Sequence, residues 1–229
     1  MSCLRNLNWL NDETMNFYFE MLGARAARNR SVPQSQVLGS PAQRASRFLS
    51  QPPASLLPSQ QDRVHFFNSF FYTKLSGDGG TGGYNYKNVS RWLKRSKADI
   101  LSLDKIICPV HVGHNHWCLA VANLKQRRFE YYDSLGGSNP ECLRFLRRYV
   151  VDEMTAQSGA AKTKELDVDS WTDLNVKGIP QQNNGSDCGV FTIMFANYVA
   201  ENRPFEFTFR DMPYFRRRIA LEIAAQKVL

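Results

Sequence analysis

Cysteine, histidine, aspartate and glutamine can together run nucleophilic acyl transfer, and this sequence holds a spacing that could assemble them. Cys188 follows the polar, turn-forming run Pro180-Gln181-Gln182-Asn183-Asn184-Gly185-Ser186-Asp187 and opens the apolar stretch from Cys188 to Ala200. A cysteine in a helix's first turn lies beside unpaired N–H groups and the positive end of the dipole, which favour the thiolate, the form that attacks carbonyl carbon. Gly189 removes side-chain bulk beside the sulfur. Standing alone, the loop reads first as a small buried cysteine starting a core helix, since free cysteine is often buried. It does not stand alone. His116 precedes Trp117 at the head of one expected strand, and Asp133 ends the next after Tyr131-Tyr132. Adjacent antiparallel strands would bring imidazole and carboxylate together, fixing the tautomer and supporting the imidazolium beside a thiolate. Singly, His116 is equally a turn residue and Asp133-Ser134 the start of a turn toward Gly136-Gly137. Jointly, with the amide of Gln182 six residues before Cys188, they form a nucleophile, base, orienting acid and oxyanion donor.

The elements that must position these groups follow from the hydrophobic pattern. Ile106 to Val112, Trp117 to Asn123 and Phe129 to Asp133 are short β-branched or aromatic runs between polar turns, which predicts a three-stranded meander. Cys142, Leu143, Phe145, Leu146, Tyr149, Val150 and Met154 fall at helical spacing, giving an amphipathic helix from about Asn139 to Met154. Cys188 to Ala200 is apolar on nearly every side, as a central buried helix requires. Met212 onward alternates an Arg216-Arg217-Arg218 face with Ile219, Leu221 and Ile223. Asn11 or Asp12 suits the cap of a short helix carrying Met15 to Leu22, and Val89 to Lys97 reads as a basic helix. His65 to Tyr72 is too aromatic for a surface loop. The class is α+β, with a small mixed or antiparallel sheet between helices in one domain spanning 1–229.

Composition narrows the function. The 229 residues are 43% hydrophobic and 22% charged, which suits one sizeable core. No run approaches a membrane-spanning length, and Met1 to Glu13 is too polar for a signal peptide, so the chain reads as intracellular and soluble. Five cysteines without a CxxC pair, and four histidines not spaced with them, speak against disulfide scaffolds and zinc sites; no metal or cofactor is expected. The net charge of +8 is uneven: residues 24–63 hold six arginines against one acid, together with seven serines, six glutamines and five prolines. That composition predicts a disordered or loosely packed insertion at 24–63. Residues 76–83 read as a Gly-rich connector, without the lysine of a phosphate loop. A nucleic-acid-binding module would leave the Cys, His, Asp and Gln set unexplained, so no nucleic acid is expected as partner.

His116-Trp117, Tyr132-Asp133-Ser134, Pro180-Gln181-Gln182 and Asn184-Gly185-Ser186-Asp187-Cys188-Gly189 resemble the catalytic segments of the Ulp/SENP family of SUMO-specific cysteine proteases. The likeness takes in Trp9-Leu10-Asn11-Asp12, Phe67-Asn68-Ser69-Phe70-Phe71, Arg91-Trp92 and Met212-Pro213-Tyr214-Phe215-Arg216, nearly the whole chain apart from the insertion. It implies a papain-like fold, no metal, and cleavage after the Gly-Gly that ends SUMO, in precursor maturation or in deconjugation from lysine. Cys188 is then the nucleophile, His116 the base, Asp133 its orienter and Gln182 an oxyanion donor. Trp9 and Trp117 become the lid and floor of a channel for the diglycine tail, and Asp12, Phe70 and Arg91 contact the globular modifier. Structural roles are the alternatives for those three: a helix cap, a core aromatic and a solvated charge. His111-Val112-Gly113-His114-Asn115-His116 holds an extra residue, and His116 is chosen over His114 because it directly precedes Trp117. Relatives carry chain ahead of the Trp9 segment, whereas this sequence begins almost at it, as a trimmed chain would. SUMO and SUMO-conjugated proteins are the implied partners of a monomer; residence is nuclear by family and by the basic runs Arg91 to Lys97 and Arg216 to Arg218, with the cytoplasm as a second location. The alternatives are an inactive modifier-binding relative and a protease for another modifier such as NEDD8.

Overall fold

The computed structural model describes residues 2–5, 7–31, 61–77 and 82–228. Its frame is a mixed sheet in the order β1 (Val64–Phe66), β2 (Lys105–Val112), β3 (His116–Asn123), β4 (Arg128–Tyr132) and β5 (Thr172–Asn175). β2, β3 and β4 form the expected antiparallel meander, and the edge strands β1 and β5 run parallel to their neighbours. The described helices are α1 (Asp12–Ser31), α2 (Phe70–Leu75), α3 (Trp92–Arg95), α4 (Pro140–Ser158), α5 (Ala160–Glu165), α6 (Cys188–Ala200) and α7 (Met212–Ala225).

Alternation along β3 divides the core between the faces of the sheet. Trp117, Leu119 and Val121 pack with α1, α6 and α7; Cys118, Ala120 and Ala122 pack with α2 and α4. All thirteen residues of α6 are buried, which is why that segment is apolar on every side. The far end of α6 is held by charge. Lys105 Nζ donates to the Val199 carbonyl at 2.8 Å and lies 2.9 Å from the Asp62 carboxylate, placing a cation where the helix dipole is negative. Arg25 of α1 reaches the same end, 2.6 Å from Asn197 Oδ1 and 3.0 Å from Glu201.

The structure corrects the bounds of the insertion, the length of the basic helix and the exposure of Arg216. The insertion does not begin at Ala24, because α1 continues to Ser31 and Arg25 is an anchor. At its other end Asp62 is buried between Lys105 and Lys125, while residues 32–60 lie outside the described residues. In the Gly-rich stretch the Gly82 N–H closes on the Gly77 carbonyl at 3.0 Å, and 78–81 lie outside the described residues. The basic helix shrinks to Trp92–Arg95, and Arg216, expected on a solvated face, is 2% exposed. The extra residue before His116 is absorbed in a three-residue turn with Gly113 at φ +56° and His114 at φ +58°, so β3 still starts at His116. Asn11 caps α1, its Oδ1 accepting the Thr14 N–H at 3.1 Å.

Candidate active site

Three segments converge at one corner of the sheet: the head of β3, the chain leaving β4, and the loop entering α6. Leu119 pairs with Tyr132, and the register carried one step further sets Asp133 opposite Cys118, on the same face as His116 two residues earlier. His116 Nε2 lies 2.7 Å from Asp133 Oδ1. Hydrogen bonding to Asp133, Cys118 and Cys188 outweighs burial and pushes the imidazole up to about 12. Burial alone would raise the Asp133 carboxyl; the hydrogen bonds from His116 and from the Leu135 and Gly137 N–H groups hold it below the ordinary range instead. A side chain at Gly137 would collide with that carboxylate, so the close approach requires glycine.

Cys188 is the first residue of α6, and its thiol is one of the groups that raise the His116 imidazole. Burial raises the Cys118 thiol, pushes Cys108 up to about 12 and holds Cys142 well above its ordinary value, so these three stay protonated. His116, Cys118 and Asp133 offer ligand atoms within 4.8 Å of one another. The His116–Asp133 hydrogen bond already engages two of these three groups, so the geometry reads as an oriented imidazole.

Gln182 lies beside them in the loop. Its N–H donates to the Ser134 carbonyl at 2.9 Å, its Oε1 accepts from the Ser134 hydroxyl at 2.5 Å, and its Nε2 donates to the Asn184 carbonyl at 2.6 Å. The rest of the loop is shaped by Asn184, whose Oδ1 accepts the N–H groups of Ser186 (2.9 Å) and Asp187 (3.0 Å).

The buried guanidinium of Arg216 completes the anchoring. It donates to Asp187 Oδ1 at 2.6 and 2.8 Å, to the Ser186 carbonyl at 3.0 Å, and to the carbonyls of Cys3 (3.2 Å) and Arg5 (3.1 Å). Asp187 occupies the N-cap position of α6 yet makes no side-chain cap. Its carboxylate is turned onto Arg216, so it does not compete for the first N–H groups of the helix.

The expected substrate residues divide. Trp9 is 53% and Phe70 50% exposed, and Arg91 is exposed, so all three are open to a partner; Phe71, not Phe70, is the core aromatic. Asp12 is half-buried and accepts the Ser69 hydroxyl at 2.8 Å. Trp117 is only 3% exposed: His111 stacks on it at 4.0 Å, its Nε1 donates to the Leu10 carbonyl at 3.0 Å, and it packs beside Gly189. His114 sits exposed on the turn, and His116, not His114, meets Asp133.

The Ulp1 protease family, C-terminal catalytic domain, matches residues 44–228. The chain belongs to this family. The Ulp1-family match contains His116, Asp133, Gln182 and Cys188, while Trp9 and Asp12 precede it. The chain is 37% identical over 229 residues to ubiquitin-like-specific protease 1A of Arabidopsis thaliana, covering 99% of this chain and 39% of that protein. It is 32% identical over 228 residues to sentrin-specific protease 2 of Homo sapiens, covering 99% of this chain and 31% of the relative. It therefore spans well under half the length of these two relatives. Among solved structures, the C-terminal Ulp1 protease domain in complex with Smt3, the yeast ortholog of SUMO, is similar at a TM-score of 0.69 and 29% identity, over 97% of this chain and 80% of that one.

Ser134, Asn184 and Arg216 were missed as site residues in the sequence reading. Arg216 left a signal there: Met212, Phe215 and Ile219 form the apolar stripe of α7, and a residue four after Met212 lies inside that stripe.

Proposed function

We propose that the chain is a SUMO-specific cysteine protease that cleaves after the C-terminal Gly-Gly of SUMO. The observation that carries the reading is the His116–Asp133 pair at 2.7 Å, its imidazole raised by a cysteine that opens a buried helix. Family membership and the Smt3-bound neighbour support SUMO as the modifier. Cys188 Sγ attacks the carbonyl carbon of the last glycine, and the charge that develops on its oxygen is met by Gln182 Nε2–H and the Cys188 N–H. His116, cationic beside the sulfur, gives its proton to the departing amine, either the lysine ε-amine of a conjugate or the α-amine of a precursor tail. Water then attacks the thioester with His116 as base, releasing the modifier's carboxylate and restoring the thiol. Asp133 holds the imidazole through Nε2 in every step. Exposed Trp9, Phe70 and Arg91, with Asp12, are the contacts assigned to the modifier. Nuclear residence rests on the family and on the exposed Lys94, Arg95 and Lys97; buried Arg216 takes the second basic run out of that argument.

Probes of SUMO, NEDD8 and ubiquitin, each with a C-terminal electrophile, test the reading. The SUMO probe is expected to label Cys188, and Cys188→Ala to abolish both labelling and precursor cleavage while retaining SUMO binding. Preferential labelling by the NEDD8 probe would reassign the modifier; labelling at another cysteine would overturn the site.

A further inference from the structure

We propose that Ser134 is the positioning residue of the oxyanion site, locking the Gln182 amide with its nitrogen toward the reacting carbonyl. The inference rests on the assignment of Gln182 as oxyanion donor. The Asn184 carbonyl can only accept, so the group facing it at 2.6 Å is the amide nitrogen. Oε1 then faces Ser134, and the Ser134 hydroxyl, at 2.5 Å, is the donor. One N–H of the amide is consumed by Asn184 and the other is left for a substrate oxygen. The terminal torsion of a glutamine is broad and soft, so nothing intrinsic to the side chain prevents a half-turn. Such a turn would aim the Oε1 lone pairs at the developing oxyanion, replacing attraction by repulsion. Ser134 is 2% exposed, so water does not readily stand in for its hydroxyl.

The main chain of the same residue accepts the Gln182 N–H at 2.9 Å. Removing the hydroxyl therefore leaves the Gln182 backbone in place and the amide held on one side only, by the Asn184 carbonyl. Ser134 also directly follows Asp133, so one dipeptide leaving β4 orients both the imidazole and the oxyanion donor.

The test is a double-mutant cycle of Ser134→Ala with Gln182→Ala, read with SUMO carrying a C-terminal fluorogenic amide. Rates are referred to Cys188 titrated by iodoacetamide, whose displacement at carbon forms no oxyanion. Ser134→Ala is expected to lower kcat about tenfold or more, with KM within about threefold, as removal of a contact made in the transition state should. Cys188 alkylation should stay within about twofold of the parent, and in the Gln182→Ala background the second change should cost less than about twofold. Parental turnover in Ser134→Ala, or an equal loss with and without Gln182, would overturn the role of Ser134 while leaving the mechanism standing. Parental turnover in Gln182→Ala would instead overturn the oxyanion assignment, and Ser134 with it.

Discussion

Asp133 receives hydrogen bonds from His116 and from two backbone N–H groups, so its charge is fixed by local geometry as well as by its partner. The pH dependence follows in sign. His116 is raised, so its contribution to stability is full below the unfolded imidazole value of about 6.5 and fades as pH climbs toward about 12. Asp133 is lowered, so its contribution is full above the unfolded carboxyl value of about 3.9 and is lost as pH falls through the folded one. The stability difference between the parent and Asp133→Asn should therefore be largest between about pH 4 and 6.5 and shrink on both sides. Thermal unfolding across pH 3 to 9 checks this; a difference that grows steadily toward alkaline pH would contradict it. At this scale the sequence was most legible where function depends on neighbours in the chain: a histidine heading one strand, an aspartate ending the next, a cysteine after a turn. Ser134 and Arg216 act on groups 48 and 29 residues away, so their partners exist only once the chain has folded.

α6 and the segment carrying Trp9 and Leu10 fit without slack. A Cβ at Gly189 would lie 2.8 Å from Leu10 Cβ and 3.3 Å from Trp117 Cδ1, so glycine is needed for the strap to cross the helix start. Gly189→Ala should cost roughly 1 to 3 kcal/mol of stability and slow Cys188 labelling, because relief requires lifting the strap or shifting the helix. Near-parental stability and labelling would show that the strap yields freely. Trp117→Ala carries the opposite lesson. As a channel wall Trp117 would affect turnover alone, with a near-native melting temperature. Burial at 3% exposure instead makes the truncation cost about 3 to 5 kcal/mol in denaturant unfolding, whatever its effect on turnover. The meander, α4, α6 and α7 were legible because each buries a continuous stripe or face. β1 and β5 were not, being edge strands of three and four residues whose pairing partners lie far along the chain. Arg25 hid the length of α1: a charged residue near a polar run reads as loop until its partners Asn197 and Glu201 come into view.

Across the molecule, the two flanks of residues 32–60 are fastened at the end of α6 remote from Cys188: Arg25 on Asn197 and Glu201, Asp62 on Lys105 and Asn202. Thirteen residues at about 1.5 Å each put roughly 20 Å between that end and Cys188. Replacing residues 32–60 with a short Gly-Ser linker should leave SUMO cleavage within about twofold, since loop shortening changes closure entropy only slightly. A collapse of activity, with Arg25 and Asp62 intact, would place those residues in the substrate surface. The complete burial of α6 has one more consequence, in time rather than space. Its amide hydrogens are shielded on all sides, so Ile193 to Val199 should exchange with deuterium only when the entire domain unfolds, while the ends of α1 and α5 exchange through local opening. The Cys188 thiol is thus mounted on the helix expected to open last. Fluctuations at the periphery come and go without displacing it, and heat should remove activity at the rate at which the last protected amides are lost.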